Sequence, residues 1–280
     1  MSDFEIEDHL IPLGKGQSIT PGWTTVTHGG PRAITWHWTA TWDLEHCTRL
    51  LGGPNAERKG IASAHLAIGR SFEDGVHRYV RFEDRSWHAG KNQTLKWNGR
   101  RYHDPRTKAS RTTVGLETIN IGYARPGVEA EDDWLEVWTP DGLERLWVQP
   151  WTEEQVLMMI SIGRSLVERW PIIGPRDHHG HHDICPGYKV DPVGFPFARV
   201  VRGVHDDPTV PDVWSEFWGL AGRRRALGDL GYAPDVDDAP WGPQDDDALR
   251  RFQADHGMVV NGMWSTFTGW KLHDLGWTGT

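Results

Sequence analysis

Cysteine is scarce in this 280-residue chain: only Cys47 and Cys185 are present. Two thiols are too few for a disulfide scaffold, and both are expected to be free and packed. No stretch of 18 apolar residues occurs, so no membrane span is expected. The start, Met1-Ser2-Asp3-Phe4-Glu5, has neither a basic segment nor an apolar run, so no secretory signal is expected. Synthesis in the cytoplasm follows, with another route out if the protein works outside. Positive charge is in deficit, 30 Lys and Arg against 39 Asp and Glu, a formal net charge of -9. That balance argues against bulk nucleic-acid binding, which depends on phosphate neutralisation. There is no internal repeat, and 38% hydrophobic residues suffice for a core.

Tryptophan is abundant, with 17 copies. Its flat, large side chain serves a core and a sugar or peptide groove equally well, so the count does not choose between them.

After an extended, turn-rich arm of about thirty residues, Ala33 to Trp38 has strand composition, Leu44 to Leu51 fits a short helix, and Ser63 to Ile68, Val76 to Val80 and Thr113 to Ile119 fit further strands. Lys91 to Arg111 is basic and aperiodic, a long loop. Pro126 to Pro140 carries an acidic run and reads as a solvated loop. Thr152 caps a helix that ends ahead of Pro171. Strands interleaved with helices predict an α/β fold with a mixed central sheet flanked by helices. Residues 1-200 are expected to form this domain, 201-213 a linker, and 214-280 a second, small three-helix domain. In the last, Trp214 to Leu230, Gln244 to His256 and Trp264 to Leu275 are the helical stretches.

Two imidazoles and a carboxylate suit a catalytic zinc with one open position. His37, His181 and Asp191 are candidates, although spacing alone does not select them from the run His178-His179-Gly180-His181-His182-Asp183, and a surface histidine cluster is the competing reading. Glu117 stands in an otherwise apolar strand, where a carboxylate is costly unless paired or used. Burial would raise its pKa toward general-base work, and a structural ion pair is the alternative. Lys189 is two residues from Asp191 and points to the same side if the segment is extended.

Several blocks together resemble a known family. They are Thr35-Trp36-His37-Trp38-Thr39, Ser63-Ala64-His65, Ser86-Trp87-His88-Ala89-Gly90, Val114-Gly115-Leu116-Glu117, and Gly180-His181-His182-Asp183-Ile184-Cys185-Pro186-Gly187-Tyr188-Lys189-Val190-Asp191-Pro192. In order, and in the nine residues between His181 and Asp191, they are similar to the type 2 zinc N-acetylmuramoyl-L-alanine amidases, relatives of the peptidoglycan recognition proteins. The resemblance implies zinc held by His37, His181 and Asp191, Glu117 as the catalytic carboxylate and Lys189 as the transition-state stabiliser. It implies His65 and His88 beside the substrate cleft, and Trp36, Trp38 and Trp87 are expected to pack against glycan or stem peptide. Cys185 lies six residues before the third-ligand position, which leaves Asp191 for that role. Departures are Pro192-Val193-Gly194, where relatives often have glycine directly after the proline, and the long basic loop.

The tail resembles a three-helix peptidoglycan-binding module through Leu227-Gly228-Asp229-Leu230-Gly231-Tyr232, Trp241-Gly242-Pro243, Ala248 to Gln253 and Asn261-Gly262. Head and tail together are similar to a bacteriophage endolysin, acting on peptidoglycan after release from the host cytoplasm. A recycling amidase for soluble muropeptides and a non-catalytic recognition protein are the rival readings. Removal of residues 209-280 is expected to leave the amidase fold intact and to weaken wall binding. The oligomeric state is open, with a monomer favoured.

Overall fold

The computed structural model describes residues 4–23, 29–90, 109–232 and 239–278. Its centre is a six-stranded mixed sheet in the order β1 (Ile6–Asp8), β5 (Val76–Arg78), β4 (Leu66–Ile68), β7 (Thr113–Thr118), β3 (Ala33–Trp38), β10 (His178–Gly180). Every neighbouring pair is parallel except β4 with β5. A two-stranded pair joins β2 (Ile19–Thr20) to β6 (Arg85–Ser86), and a hairpin joins β8 (Leu135–Trp138) to β9 (Arg145–Val148).

Side chains alternate across each strand. Ile34, Trp36, Val114, Leu116, Leu66 and Ile68 belong to one buried cluster with Val156, Met159 and Ile162 of helix α2 (Glu153–Arg169) and Val200, Val201 and Val204 of α4 (Phe197–His205). Each such side chain contributes about 1.5–3 kcal/mol on burial, so this layer is the main source of stability. Helices α2 and α4 pack closely because two glycines face the contact: a Cβ on Gly163 would lie 2.3 Å from Val204, and one on Gly203 2.5 Å from Ile160. The opposite layer is formed by α1 (Leu44–Leu51), whose Leu44 and Cys47 pack with Ala64, Ala67, Tyr79 and Ile119.

Local signals explain the helix starts. Asp43 accepts from the His46 amide and Thr152 from the Gln155 amide, each satisfying an otherwise unpaired donor. The α2 helix stops at Trp170, ahead of Pro171.

Two expectations need correction. Residues Leu135–Val148 contain a hairpin rather than continuing the acidic loop; Val137 and Val148 are buried beneath it. The stretch 201–213, expected as a linker, begins inside α4 and buries Val204, Val210 and Val213 in the main core. Residues 91–108 of the basic loop lie outside the described residues; its end, Ala109–Arg111, forms a 3-10 turn.

The tail forms α5 (Gly219–Gly228), α6 (Pro243–Asp255) and α7 (Thr266–Asp274) around Leu220, Leu227, Ala248, Leu249, Phe252, Trp264 and Leu272. Gln253 organises the turn before α7: its Oε1 accepts from the Asn261 and Gly262 amides, and its Nε2 donates to Asn261 Oδ1 and the Met263 carbonyl. The module is docked firmly. Trp214 and Trp270 are part of the main core. The Arg223 guanidinium donates to the Thr139 and Trp138 carbonyls of the hairpin. The Trp264 amide donates to the Pro140 carbonyl at 2.8 Å.

Candidate metal centre

Strands β3 and β7 pair in parallel with His37 opposite Glu117, near their carboxyl ends. Alternation puts both on the face opposite the Ile34, Trp36, Val114 and Leu116 layer. Strand β10 lies on the other side of β3, with Gly180 opposite Trp36. The helix α3 (His181–Ile184) starts at that point, so His181 emerges beside His37. The chain then turns at Gly187, whose φ of +75° suits glycine, and returns to Asp191. The His182 amide donates to the Asp191 carbonyl at 2.8 Å and fixes the return.

Three side chains 10 to 154 residues apart in sequence therefore converge. Nδ1 of His37 is 3.3 Å and Nδ1 of His181 is 3.0 Å from the same oxygen, Oδ2 of Asp191. All three are buried, and their donor atoms lie within 4.8 Å of one another. Ligands about 2.0–2.1 Å from a tetrahedral zinc are about 3.3 Å apart, which the two nitrogen–oxygen separations approach. Among the described residues, Nε2 of His181 is a buried nitrogen with no hydrogen-bond partner. Burial, above all, pushes the His37 imidazole down to about 4, leaving it neutral, as a ligand must be. Burial alone would raise the Asp191 carboxyl. The flanking His181 and His37 outweigh that and hold it well below the usual carboxylate range. A buried His-His-Asp triad of this kind is consistent with a zinc site.

Glu117 stands beside this triad. The residue as a whole is only partly buried, but its Oε2 is buried and has no hydrogen-bond partner among the described residues. Desolvation and, next, the negative charge of Asp191 raise its pKa well above the ordinary value; Lys189 and Arg58 pull the other way. Lys189 is half-buried, with its ammonium 5.3 Å from the centre of the Tyr188 ring.

The remaining candidates divide. His88 is buried next to His37: His37 Nε2 lies 3.0 Å from His88 Nδ1, and His88 Nε2 lies 3.2 Å from the Thr113 carbonyl oxygen. That carbonyl can only accept, so His88 carries its proton on Nε2, and the His37 Nε2–H donates to His88 Nδ1. The Nδ1 lone pair of His37 is thereby turned toward Asp191. Gly115 makes room for His88, since a Cβ there would lie 2.2 Å from the ring. His65 is fully buried; its Nδ1 accepts from the Gly115 amide, and its Nε2 donates to the Asp84 carbonyl.

Trp36 and Trp38 stand apart from the triad. The alternation that brings His37 to the pocket sends its two neighbours to the opposite face. Trp36 is fully buried against Phe195 and His178, and Trp38 packs between Tyr123 and Trp151. Trp87 is exposed, with its indole N–H donating to Thr20 Oγ1.

His178, His179 and His182 are buried rather than on the surface. Trp36 Nε1 donates to His178 Nδ1, and His182 Nδ1 lies 3.1 Å from the Asp191 carbonyl oxygen. The two cysteines are free and buried. Sequence reasoning missed Asp183. Its carboxylate caps α3 through the Gly180 amide and accepts from both the amide and the hydroxyl of Thr266 in α7.

Residues 27–194 match the family model described as N-acetylmuramoyl-L-alanine amidase. A curated relative, the 1,6-anhydro-N-acetylmuramyl-L-alanine amidase AmpD of Escherichia coli, is 27% identical over 138 residues, 49% of this chain and 55% of the relative. The chain thus spans about half the length of that relative. Among solved structures, AMPDH3 from Pseudomonas aeruginosa in complex with anhydromuramic pentapeptide is similar with a TM-score of 0.50 and 19% identity, over 94% of this chain and 96% of that one. This likeness is one of fold. The amidase AmiD from E. coli, complexed with anhydro-N-acetylmuramic acid-L-Ala-D-gamma-Glu-L-Lys, gives a TM-score of 0.49 and 21% identity, over 87% and 88% of the two chains.

Proposed function

The chain belongs to the N-acetylmuramoyl-L-alanine amidase family, and on that premise we propose that it hydrolyses the amide between the lactyl group of N-acetylmuramic acid and L-alanine in peptidoglycan. The observation that carries this reading is the meeting of His37, His181 and Asp191 beside Glu117, whose buried Oε2 has no hydrogen-bond partner among the described residues. Zinc held by those three would supply a Lewis acid that polarises the amide carbonyl and makes water a better nucleophile.

Glu117 takes the proton from the attacking water, a task suited to its raised pKa. It then passes the proton to the alanine nitrogen as the carbon–nitrogen bond breaks. Lys189, whose charge reaches Glu117, stabilises the negative oxygen of the tetrahedral intermediate. His88 holds the His37 ring in its ligating tautomer. The exposed indole of Trp87 offers an aromatic face to glycan or peptide.

The three-helix tail is assigned to wall binding and the whole chain to endolysin work. The motif blocks of the tail and its position beside the catalytic head support that assignment. A second reading, release of peptide from soluble anhydromuropeptides, is favoured by the 27% identity to the E. coli 1,6-anhydro-N-acetylmuramyl-L-alanine amidase. One experiment tests both: digestion of purified sacculi and of soluble anhydromuropeptides, with mass analysis of the products. New L-alanine amino termini without new reducing ends support the bond assignment. Faster release from sacculi supports the endolysin reading, and release only from the soluble substrate supports the second. New reducing ends would overturn the amidase assignment.

A further inference from the structure

A second group of metal-binding side chains lies at the far edge of the sheet, with β4 and β7 between it and β3. Glu7 of β1 stands opposite His77 of β5. His9 shares Glu7's side of the chain two residues on, and its amide donates to the Arg78 carbonyl at 2.9 Å. This brings the His9 and His77 rings to 4.3 Å between centres. Glu7 Oε1 is 3.1 Å from His9 Nε2, and Glu7 Oε2 is 3.7 Å from His77 Nε2. One donor atom from each residue falls within 4.8 Å of the other two. Among the described residues, the only other such group is His37, His181 and Asp191.

The hydrogen bonds orient the rings as ligands. Thr48 Oγ1 donates to the Leu44 carbonyl at 2.8 Å, so it accepts from His77 Nδ1 at 2.7 Å. The proton of neutral His77 is thereby on Nδ1, and the Nε2 lone pair faces Glu7. Burial and then the neighbouring His9 lower the His77 pKa and favour that neutral form. His9 Nε2 is buried and has no aligned hydrogen-bond partner among the described residues. A lone pair directed at a carboxylate is repulsive unless a cation stands between them. Two imidazoles and one carboxylate at these separations form a donor set for zinc or another late first-row divalent ion.

We propose that Glu7, His9 and His77 bind a second zinc ion, which clamps β1 onto β5. Strand β1 has three residues, all exposed, and lies at the sheet edge on parallel pairing to β5. A metal bridging the two strands ties down the amino-terminal segment without touching the hydrolytic pocket.

Zinc stoichiometry of the full chain, measured by elemental analysis after equilibrium dialysis at neutral pH, tests this. Wild type is expected to hold two zinc ions. The His9→Gln/His77→Gln variant is expected to hold one and to keep its rate on sacculi. Asp191→Ala is expected to retain one, and zinc should raise its thermal midpoint. Adding the two histidine substitutions to Asp191→Ala should abolish that rise. Equal stoichiometry in wild type and the double-histidine variant overturns the proposal, even if Asp191→Ala does not fold. An Asp191→Ala midpoint that does not respond to zinc also overturns it. A wild type that holds two zinc ions but releases no peptide from sacculi or soluble anhydromuropeptides would count against the hydrolytic reading alone.

Discussion

The carboxylate of Asp183 accepts two hydrogen bonds from Thr266, one from the amide and one from the hydroxyl, each at 2.8 Å. Asp183 is two residues beyond His181, and Thr266 opens helix α7, so the tail is fastened to the segment that carries a candidate metal ligand. Deleting residues 209–280 leaves this buried carboxylate without those donors and strips Trp214 and Trp270 from the main core. The truncated protein is therefore expected to unfold at lower temperature and to hold zinc less tightly, in contrast to the separable tail suggested by sequence. Asp183→Ala leaves the Thr266 and Gly180 amides without their acceptor, a loss of about 1.5–3 kcal/mol per charged hydrogen bond. Urea unfolding of both proteins checks this. Midpoints equal to wild type would show that the docking contributes nothing.

Glu117→Gln removes the proton acceptor and leaves His37, His181 and Asp191 in place. Turnover is expected to fall by about 10²–10⁴-fold, with zinc content unchanged. Elemental analysis beside wall hydrolysis checks the pair of outcomes. Parallel loss of zinc would make Glu117 a ligand or a prop rather than the base.

His88 acts on the metal through His37. His88→Leu removes the acceptor for His37 Nε2 and is expected to weaken zinc binding by about 10–100-fold. His88→Asn offers an oxygen near the Nδ1 position and should recover much of that loss. Competition with a zinc-binding dye gives both affinities. Equal weakening by the two substitutions would mean that His88 only fills space.

Acid should destabilise the metal-free fold. Burial, above all, lowers His65 to about 4 and lowers His178 well below its ordinary value. Unfolding restores both to about 6.5, so below that pH the unfolded chain binds more protons. The stability present above about pH 6.5 is lost as pH falls toward 4. His65 alone accounts for up to about 3 kcal/mol. Glu117 has a raised pKa and works in the opposite direction, but it is outnumbered by the buried histidines. The thermal midpoint of chelated protein is expected to drop between pH 7.5 and 5; a flat or rising midpoint would contradict the burial argument.

Much of this was legible in the chain because it is local. The strand Ala33–Trp38, the helix Leu44–Leu51 and the Thr152 cap each depend on a few adjacent residues. The meeting of His37, His181 and Asp191 was legible through the resemblance, not through spacing. The burial of Trp36 and Trp38 follows from the two-residue period of a strand, which sends them to the face opposite His37. The buried histidines and the Asp183–Thr266 link were not legible, since their partners are brought together only by tertiary packing.

Anomalous diffraction at the zinc edge from zinc-replete crystals shows whether these three side chains share a metal. A peak is expected about 2.0–2.2 Å from His37 Nδ1, His181 Nδ1 and Asp191 Oδ2. Zinc-replete crystals with no peak among these three atoms, or with the His37 ring turned away from Asp191, would contradict a shared site.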